Sequence, residues 1–192
     1  AYALTDSVGS PSRVEHLTLL DVVNPSKELS NDPRVTILTG DITDRSLLEK
    51  AISVSTDCIF HFAAIVSAGA EKDFDLGMSV NLDATRAILD ICRRHETKPK
   101  LIFASSCAAF GGDMPNIITD MTARTPQTSY GTQKVIGELL VNDFSRKGFV
   151  DGRALRFPTV VVRPGKPNKA ASTFASSIIR EPLQGQTAIC PV

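Results

Sequence analysis

The sequence predicts an α/β fold built on a doubly wound parallel sheet, with helices on both faces. Short apolar runs rich in Leu, Val and Ile alternate along the chain with longer segments of helical periodicity. This alternation is typical of strand–helix–strand units that form a parallel sheet. The 192 residues suffice for a domain with a real core. In such sheets ligands bind at the carboxyl ends of the strands, and here small and polar residues follow each run.

Each predicted strand is an apolar run closed by turn residues. The predicted strands, the third and fourth with the turn that follows, are 16–23, 34–41, 57–67, 100–110 and 154–165. Three helices are predicted at 41–53, 80–96 and 129–148. Asp41 begins the first of these, and Gly148 is expected to cap the last. Pro158 must lie at a bulge or an edge, since it cannot donate to a ladder.

Composition argues against several classes of function. The chain has 21 basic and 21 acidic residues, so its total charge indicates neither nucleic acid nor an anionic membrane as partner. The cysteines lie far apart without a CxxC pair, which argues against zinc and against a disulfide framework: Cys58, Cys92, Cys107 and Cys190. The longest apolar tract is too short to span a bilayer, and the N-terminus has no signal-peptide pattern. We therefore expect a cytoplasmic protein.

The segment SYGTQK places Tyr130 one helical turn before Lys134. A phenol has a pKa of about 10, and a nearby ammonium favours its charged form. A cationic nicotinamide would lower that pKa further. Ser106, with Ser105 beside it, ends a neighbouring strand and could hold a substrate alcohol. These residues predict hydride transfer with Tyr130 as base, although a Tyr–Lys pair on a helix also arises by chance.

The stretches SSCAAFGG and SYGTQK resemble the serine and YxxxK motifs of extended short-chain dehydrogenases/reductases, the group of nucleotide-sugar epimerases and dehydratases. The resemblance covers nearly the whole chain and implies a Rossmann-type fold that binds NAD. It implies catalytic roles for Ser106, Tyr130, Lys134 and Asn81, the last in the family's helix asparagine position. Asn81 could equally be a buried structural amide.

The same resemblance implies a set of cofactor contacts besides Tyr130 and Lys134. In this resemblance Asp21 is the acid at the ribose, and Asp41 and Ile42 belong to the adenine-side pocket. Ala63 and Ala64 are two small turn residues, and Pro158 and Val160 belong to the strand end near the nicotinamide. An acid at Asp21 favours NAD over NADP. Asp21 could instead cap a turn, and Asp41 with Ile42 could simply start a helix. His61 and Cys107 are interpreted as core residues.

The basic loop after the last strand is the part that indicates a substrate. Arg163 and Lys169, with Lys166 and Asn168 between them, suit a small carboxylate, although a solvated loop would look alike. Ser67 is a second candidate for contact with substrate, beside Ser106. Three further stretches, 67–77, 163–173 and 180–192, resemble NAD-dependent dehydrogenases that oxidise four-carbon sugar acids at C2.

The chain departs from the family pattern at its start, where we find no first strand with a GxxGxxG turn. Because that strand is central in the family, we expect a gap in the sheet. Residues 1–165 are interpreted as the dinucleotide-binding domain and 166–192 as the start of a smaller substrate-binding portion. Two alternatives stay open: a nucleotide-sugar epimerase or dehydratase, and a non-catalytic dinucleotide-binding regulator. A homodimer through the helices at 80–96 and 129–147 is possible by analogy.

Overall fold

The computed structural model describes residues 14–161 and 171–190, and these fall into two compact units that divide after Ser53. The first unit holds two strands and two helices: β1 (Leu17–Asp21), α1 (Lys27–Ser30), β2 (Val35–Thr39) and α2 (Arg45–Ala51). β1 and β2 pair in parallel with Leu19 opposite Ile37. The side chain of Asp44 accepts a hydrogen bond from the Ser46 amide and so caps α2.

The second unit carries a three-stranded parallel sheet and the longer helices. Its strands are β3 (Cys58–His61), β4 (Lys100–Ser106) and β5 (Asp151–Phe157), in the order β3-β4-β5. Its helices are α3 (Ser67–Lys72), α4 (Phe74–Gly77), α5 (Ala84–His95), α6 (Ser129–Arg146) and α7 (Phe174–Leu183). A π-helix at Met78–Asp83 joins α4 to α5, and 3₁₀ turns lie at Cys107–Ala109 and Ala171–Thr173.

The core of the second unit lies where α5 and α6 pack against each other and α6 packs on β4 and β5. β4 alternates buried and half-buried residues, and Leu101 and Phe103 are fully buried. Ile91 of α5 and Val141 of α6 are also fully buried. This packing fixes α6 against the carboxyl end of β4, where the candidate site lies.

The α/β fold with parallel strands and helices between them is confirmed. All five predicted strands and all three predicted helices are present, with β1 and β2 in a two-stranded sheet and β3, β4 and β5 in a three-stranded one. The last strand begins and ends earlier than predicted, and Pro158 follows it directly. Gly148 follows α6 with a φ of +79°, the left-handed conformation expected after a helix. The predicted domain boundary at 165/166 lies outside the described residues.

Candidate active site

The N-terminus of α6 sets the position of Tyr130. The Thr128 side chain caps the helix by accepting a hydrogen bond from the Gly131 amide at 3.1 Å. A Cβ at Gly131 would lie 2.2 Å from the carbonyl oxygen of Ala108, so only glycine permits this approach. Ala108 belongs to the 3₁₀ turn that follows β4. The first turn of α6 is therefore held directly against the end of the serine-bearing strand.

The structure brings Tyr130, Lys134 and Ser106 together. The Lys134 Nζ lies 5.6 Å from the centroid of the Tyr130 ring and 4.8 Å from that of Phe103. The hydroxyl of Ser106 interacts with the phenol of Tyr130, and it also accepts a hydrogen bond from the Ala108 amide at 3.1 Å. Lys134 is 1% exposed, whereas Tyr130 is half-buried. A buried ammonium and a serine hydroxyl thus flank one accessible phenol.

The electrostatics of the pair differ from the expectation that Lys134 lowers the pKa of Tyr130. Burial raises the pKa of Tyr130 above its ordinary value, and the interaction with Ser106 offsets this only in part. Burial also lowers the pKa of Lys134 to about 8. At this depth the cost of removing the phenolate from water is the largest influence on the pKa of Tyr130. A positive charge bound beside the ring would lower that pKa.

Two further predicted residues have well-defined surroundings. His61 is buried and its Nε2 lies 2.8 Å from the Thr85 hydroxyl, as expected for a core histidine. Burial, with a contribution from the charge of Lys134, lowers the pKa of His61 to about 3. Asn81 is 1% exposed, and its amide is engaged by the Ile65 peptide and by Gln133. These contacts favour the structural interpretation of Asn81.

Residues 8–192 match the family model described as the NAD dependent epimerase/dehydratase family. The chain belongs to that family. It is 57% identical over 184 residues to D-erythronate dehydrogenase of Cupriavidus necator, covering 96% of this chain and 56% of the relative. It is 55% identical over 179 residues to D-erythronate dehydrogenase of Haemophilus influenzae, covering 93% of this chain and 56% of the relative. The chain therefore spans just over half the length of these curated relatives.

A solved member of the epimerase/dehydratase group has the same fold. The crystal structure of the nucleoside-diphosphate-sugar epimerase from Agrobacterium tumefaciens superposes with a TM-score of 0.90 at 46% identity. The match covers 98% of this chain and 56% of the solved one. Such agreement confirms the Rossmann-type fold that the motifs predict.

The residues of the second unit fit the dinucleotide of the NAD dependent family. Lys134 is a buried cation, and in the described parts of the chain no carboxylate forms an ion pair with it. A buried ammonium needs acceptors, and ligand hydroxyls beside Tyr130 would provide them. Ala63 and Ala64 lie half-buried in the turn after β3, where short side chains leave the backbone accessible.

The remaining predicted contacts have simpler local surroundings. In the first unit, Asp21 is exposed at the end of β1 and accepts from the Val23 amide at 3.1 Å. Asp41 accepts from the amide and hydroxyl of Thr43, and Ile42 beside it is half-buried. Both acids thus serve local turns, and their role toward a cofactor stays a prediction.

Among the predicted substrate and nicotinamide contacts, Ser67, Pro158 and Val160 lie next to the ends of elements of the second unit. Ser67 is the first residue of α3. Pro158 and Val160 are exposed in the segment that follows β5. Arg163 and Lys169 lie outside the described residues, so the carboxylate role proposed for this loop stays a prediction.

A charged network around Glu138 was missed by the sequence analysis. Glu138 is 1% exposed and accepts hydrogen bonds from Ser105 Oγ, from Arg156 Nε and Nη2, and from Arg124 Nη1. Burial would raise the pKa of Glu138, but the bonds from Arg156, Ser105 and Arg124 outweigh it and keep the pKa lowered. The guanidinium of Arg156 also lies 5.1 Å from the centroid of the Phe110 ring.

The sequence signal that indicates this network is the position of Glu138 on the helix. Glu138 follows Tyr130 and Lys134 at intervals of one turn, so all three share a face of α6. The network ties the ends of β4 and β5 and the loop before α6 to that face. It therefore supports the frame on which Tyr130 and Ser106 are placed.

None of the helices that the structure describes is both long and apolar enough to cross a bilayer. Within residues 14–161 and 171–190, no cluster of three or more His, Cys, Asp or Glu side chains could hold a metal ion.

Proposed function

We propose that this protein oxidises a secondary alcohol of a small sugar acid with NAD, the substrate being of the D-erythronate type and the reaction at C2. The observation that carries the proposal is the cluster of Tyr130, Lys134 and Ser106. The identity of 57% to a D-erythronate dehydrogenase over 96% of the chain supports the substrate class.

Tyr130 is the base in this proposal. Its phenolate takes the hydroxyl proton of the substrate while Ser106 donates a hydrogen bond to the same oxygen. NAD⁺ bound beside these residues would supply the hydride acceptor for C2 and a positive charge that favours the phenolate. The products are a 2-oxo acid, NADH and a proton.

Lys134 supports the base electrostatically. With a pKa of about 8, its ammonium is mostly protonated at neutral pH. Its position one turn beyond Tyr130 favours the phenolate over the phenol. Burial strengthens this effect because little water screens the charge.

The substrate carboxylate is assigned to Arg163 and Lys169, whose cations follow the last strand in sequence. Arginine grips a carboxylate with two parallel hydrogen bonds, which suits a compact acid. Ser67, at the start of α3, is the second candidate for contact with substrate hydroxyls. The adenosine side is assigned to Asp21, Asp41 and Ile42.

A second candidate is epimerisation or dehydration of a nucleotide sugar. The 46% identity to a protein described as a nucleoside-diphosphate-sugar epimerase favours it. Against it, Cys107 and Ala108 follow Ser106 and supply no acid or base beside the serine.

The test uses the protein expressed from its complete gene. With NAD⁺ and D-erythronate, absorbance at 340 nm should rise as NADH forms. Turnover of a UDP-sugar without NADH formation from any four-carbon acid would favour the epimerase. Failure to bind the dinucleotide would favour a non-catalytic role.

The cellular setting is also proposed. A reducing cytoplasm suits thiols that are free and exposed. Cys58, Cys190 and Cys107 are such thiols, and the exposure of Cys107 shows that its interpretation as a core residue was wrong. A homodimer through α5 and α6 is proposed by analogy with the family, and Leu139 of α6 is half exposed at 50%.

A further inference from the structure

Asn81 binds both the backbone N–H and the backbone carbonyl of a single residue, Ile65, in the turn after β3. The Ile65 amide donates to Asn81 Oδ1 at 2.8 Å, and Asn81 Nδ2 donates to the Ile65 carbonyl at 3.0 Å. Asn81 lies in the π-helix Met78–Asp83, a rare winding that is frequent at functional sites. Two hydrogen bonds to a single residue fix both the position and the orientation of the backbone in this turn.

Gln133 connects Asn81 to α6, the helix that carries Tyr130 and Lys134. Its Oε1 accepts a hydrogen bond from Asn81 Nδ2 at 2.7 Å, across 52 positions of sequence. Gln133 is 1% exposed and directly precedes Lys134 on α6. A Cβ at Gly77 would lie 2.8 Å from Gln133 Nε2, so a glycine at this point makes room for the amide. The chain of hydrogen bonds from Ile65 through Asn81 to Gln133 is therefore continuous, and it is buried at Asn81 and Gln133.

The surroundings of the side-chain nitrogen of Gln133 indicate that the oxygen is the atom through which this side chain stabilises the structure. In the described parts of the chain, Gln133 Nε2 is buried without a hydrogen-bond partner. An unsatisfied buried donor destabilises the fold, and an apolar side chain of similar volume would avoid this cost. The bond from Gln133 Oε1 to Asn81 is the interaction that offsets it.

We propose that Gln133 is a positioning residue for cofactor binding, which it supports by fixing Asn81 and, through Asn81, the turn 62–66. This inference rests on the proposed function, in which Ala63 and Ala64 of that turn contact the dinucleotide. Gln133 touches neither substrate nor cofactor in this account. It sets the distance between the turn and the helix that carries Tyr130 and Lys134.

The first test is the variant Gln133→Met in the protein expressed from its complete gene. Methionine has a similar length and no strong acceptor. The dissociation constant for NADH, measured by calorimetry, should rise about 5- to 10-fold, the usual effect of losing one buried hydrogen bond. kcat at saturating NAD⁺ should change by less than about 3-fold, because the reacting groups stay in place.

A matched control separates positioning from general stability. Val141→Ala removes buried volume from the same helix, eight residues beyond Gln133, where Val141 lies beside Gly152 of β5. It should lower the melting temperature and leave the NADH dissociation constant unchanged. Hydrogen exchange without cofactor gives a second readout: the Ile65 amide should exchange faster in Gln133→Met and at the wild-type rate in Val141→Ala.

A double-mutant cycle with Asn81→Ala completes the test. The inference predicts that the effects of Asn81→Ala and Gln133→Met on NADH affinity are not additive, since both break one chain of contacts. An unchanged NADH affinity in Gln133→Met, or additive effects, would overturn the inference alone. A wild-type protein that does not bind NADH would overturn the proposed function as well.

Discussion

The ammonium of Lys134 lies 5.6 Å from the centre of the Tyr130 ring, one turn further along α6, and is almost completely buried. Lys134→Met should keep the buried volume and remove the charge. We expect kcat for NADH formation to fall about 10²- to 10⁴-fold and the pH of maximal rate to rise, because the phenolate loses its stabilising cation. Steady-state rates between pH 6 and 10 measure both effects. An unchanged pH profile would contradict the role of Lys134.

The protonation of Tyr130 can be observed by ultraviolet titration of the protein expressed from its complete gene. Subtracting the titration of Tyr130→Phe from that of the wild type isolates this phenol. Without cofactor, its midpoint should lie above the ordinary value of about 10, because burial raises its pKa. With NAD⁺ the midpoint should fall. A midpoint that NAD⁺ does not move would show that bound charge does not reach the phenol.

His61 should make the protein sensitive to acid. Its pKa is lowered to about 3 in the folded state by burial, against an ordinary value of about 6.5. As the pH falls, His61 is therefore protonated in unfolded chains before it is protonated in folded ones. Its contribution to the free energy of unfolding is fully present above about pH 6.5 and is lost as the pH falls toward 3. The contribution changes by at most about 1.4 kcal/mol per pH unit.

The variant His61→Gln keeps a polar partner for Thr85 and removes the titration. The free energy of unfolding, measured by urea between pH 7.5 and 4, should depend less steeply on pH in this variant. Ile88→Val, a buried change on α5 without a titrating group, should lower stability by the same amount at every pH. Identical slopes for His61→Gln and wild type would refute the assignment.

Among the polar residues that support Tyr130 and Ser106, Glu138 should be the one whose substitution lowers the free energy of unfolding most. Glu138→Gln leaves the part-exposed guanidiniums of Arg124 and Arg156 without their charged partner, and losing hydrogen bonds to a buried charge costs about 1.5–3 kcal/mol. Arg124→Ala removes a partner whose side chain is 31% exposed and should cost about 1 kcal/mol. Urea unfolding at pH 7 compares the two. Equal costs would mean that the network does not depend on its buried carboxylate.

Much of the fold and the centre of the site could be predicted because their signals are local. Apolar runs marked the strands, and the spacing of Tyr130 and Lys134 put both on one helical face close to the strand that ends in Ser106. The start of β5 at Asp151 was missed because Gly152 and Arg153 interrupt the apolar pattern. The π-helix has no periodicity of its own that would distinguish it in a short segment.

The interactions that the sequence did not predict are long-range. Gln133 and Asn81 are 52 positions apart, and Ser105 and Glu138 are 33 apart. Such pairings depend on how α6 packs against β4 and the π-helix. The raised pKa of Tyr130 was missed for the same reason, since burial depends on packing and the spacing of Tyr130 and Lys134 indicates only proximity.

The most direct test of the central claim is the rate of NADH formation from D-erythronate by Tyr130→Phe. Phenylalanine keeps the ring and removes only the hydroxyl that accepts the proton. We predict that kcat falls about 10²- to 10⁴-fold, the usual scale for loss of a general base, while NADH binds within about 3-fold of wild type. Near-normal turnover by this variant would contradict the assignment of Tyr130 as the base.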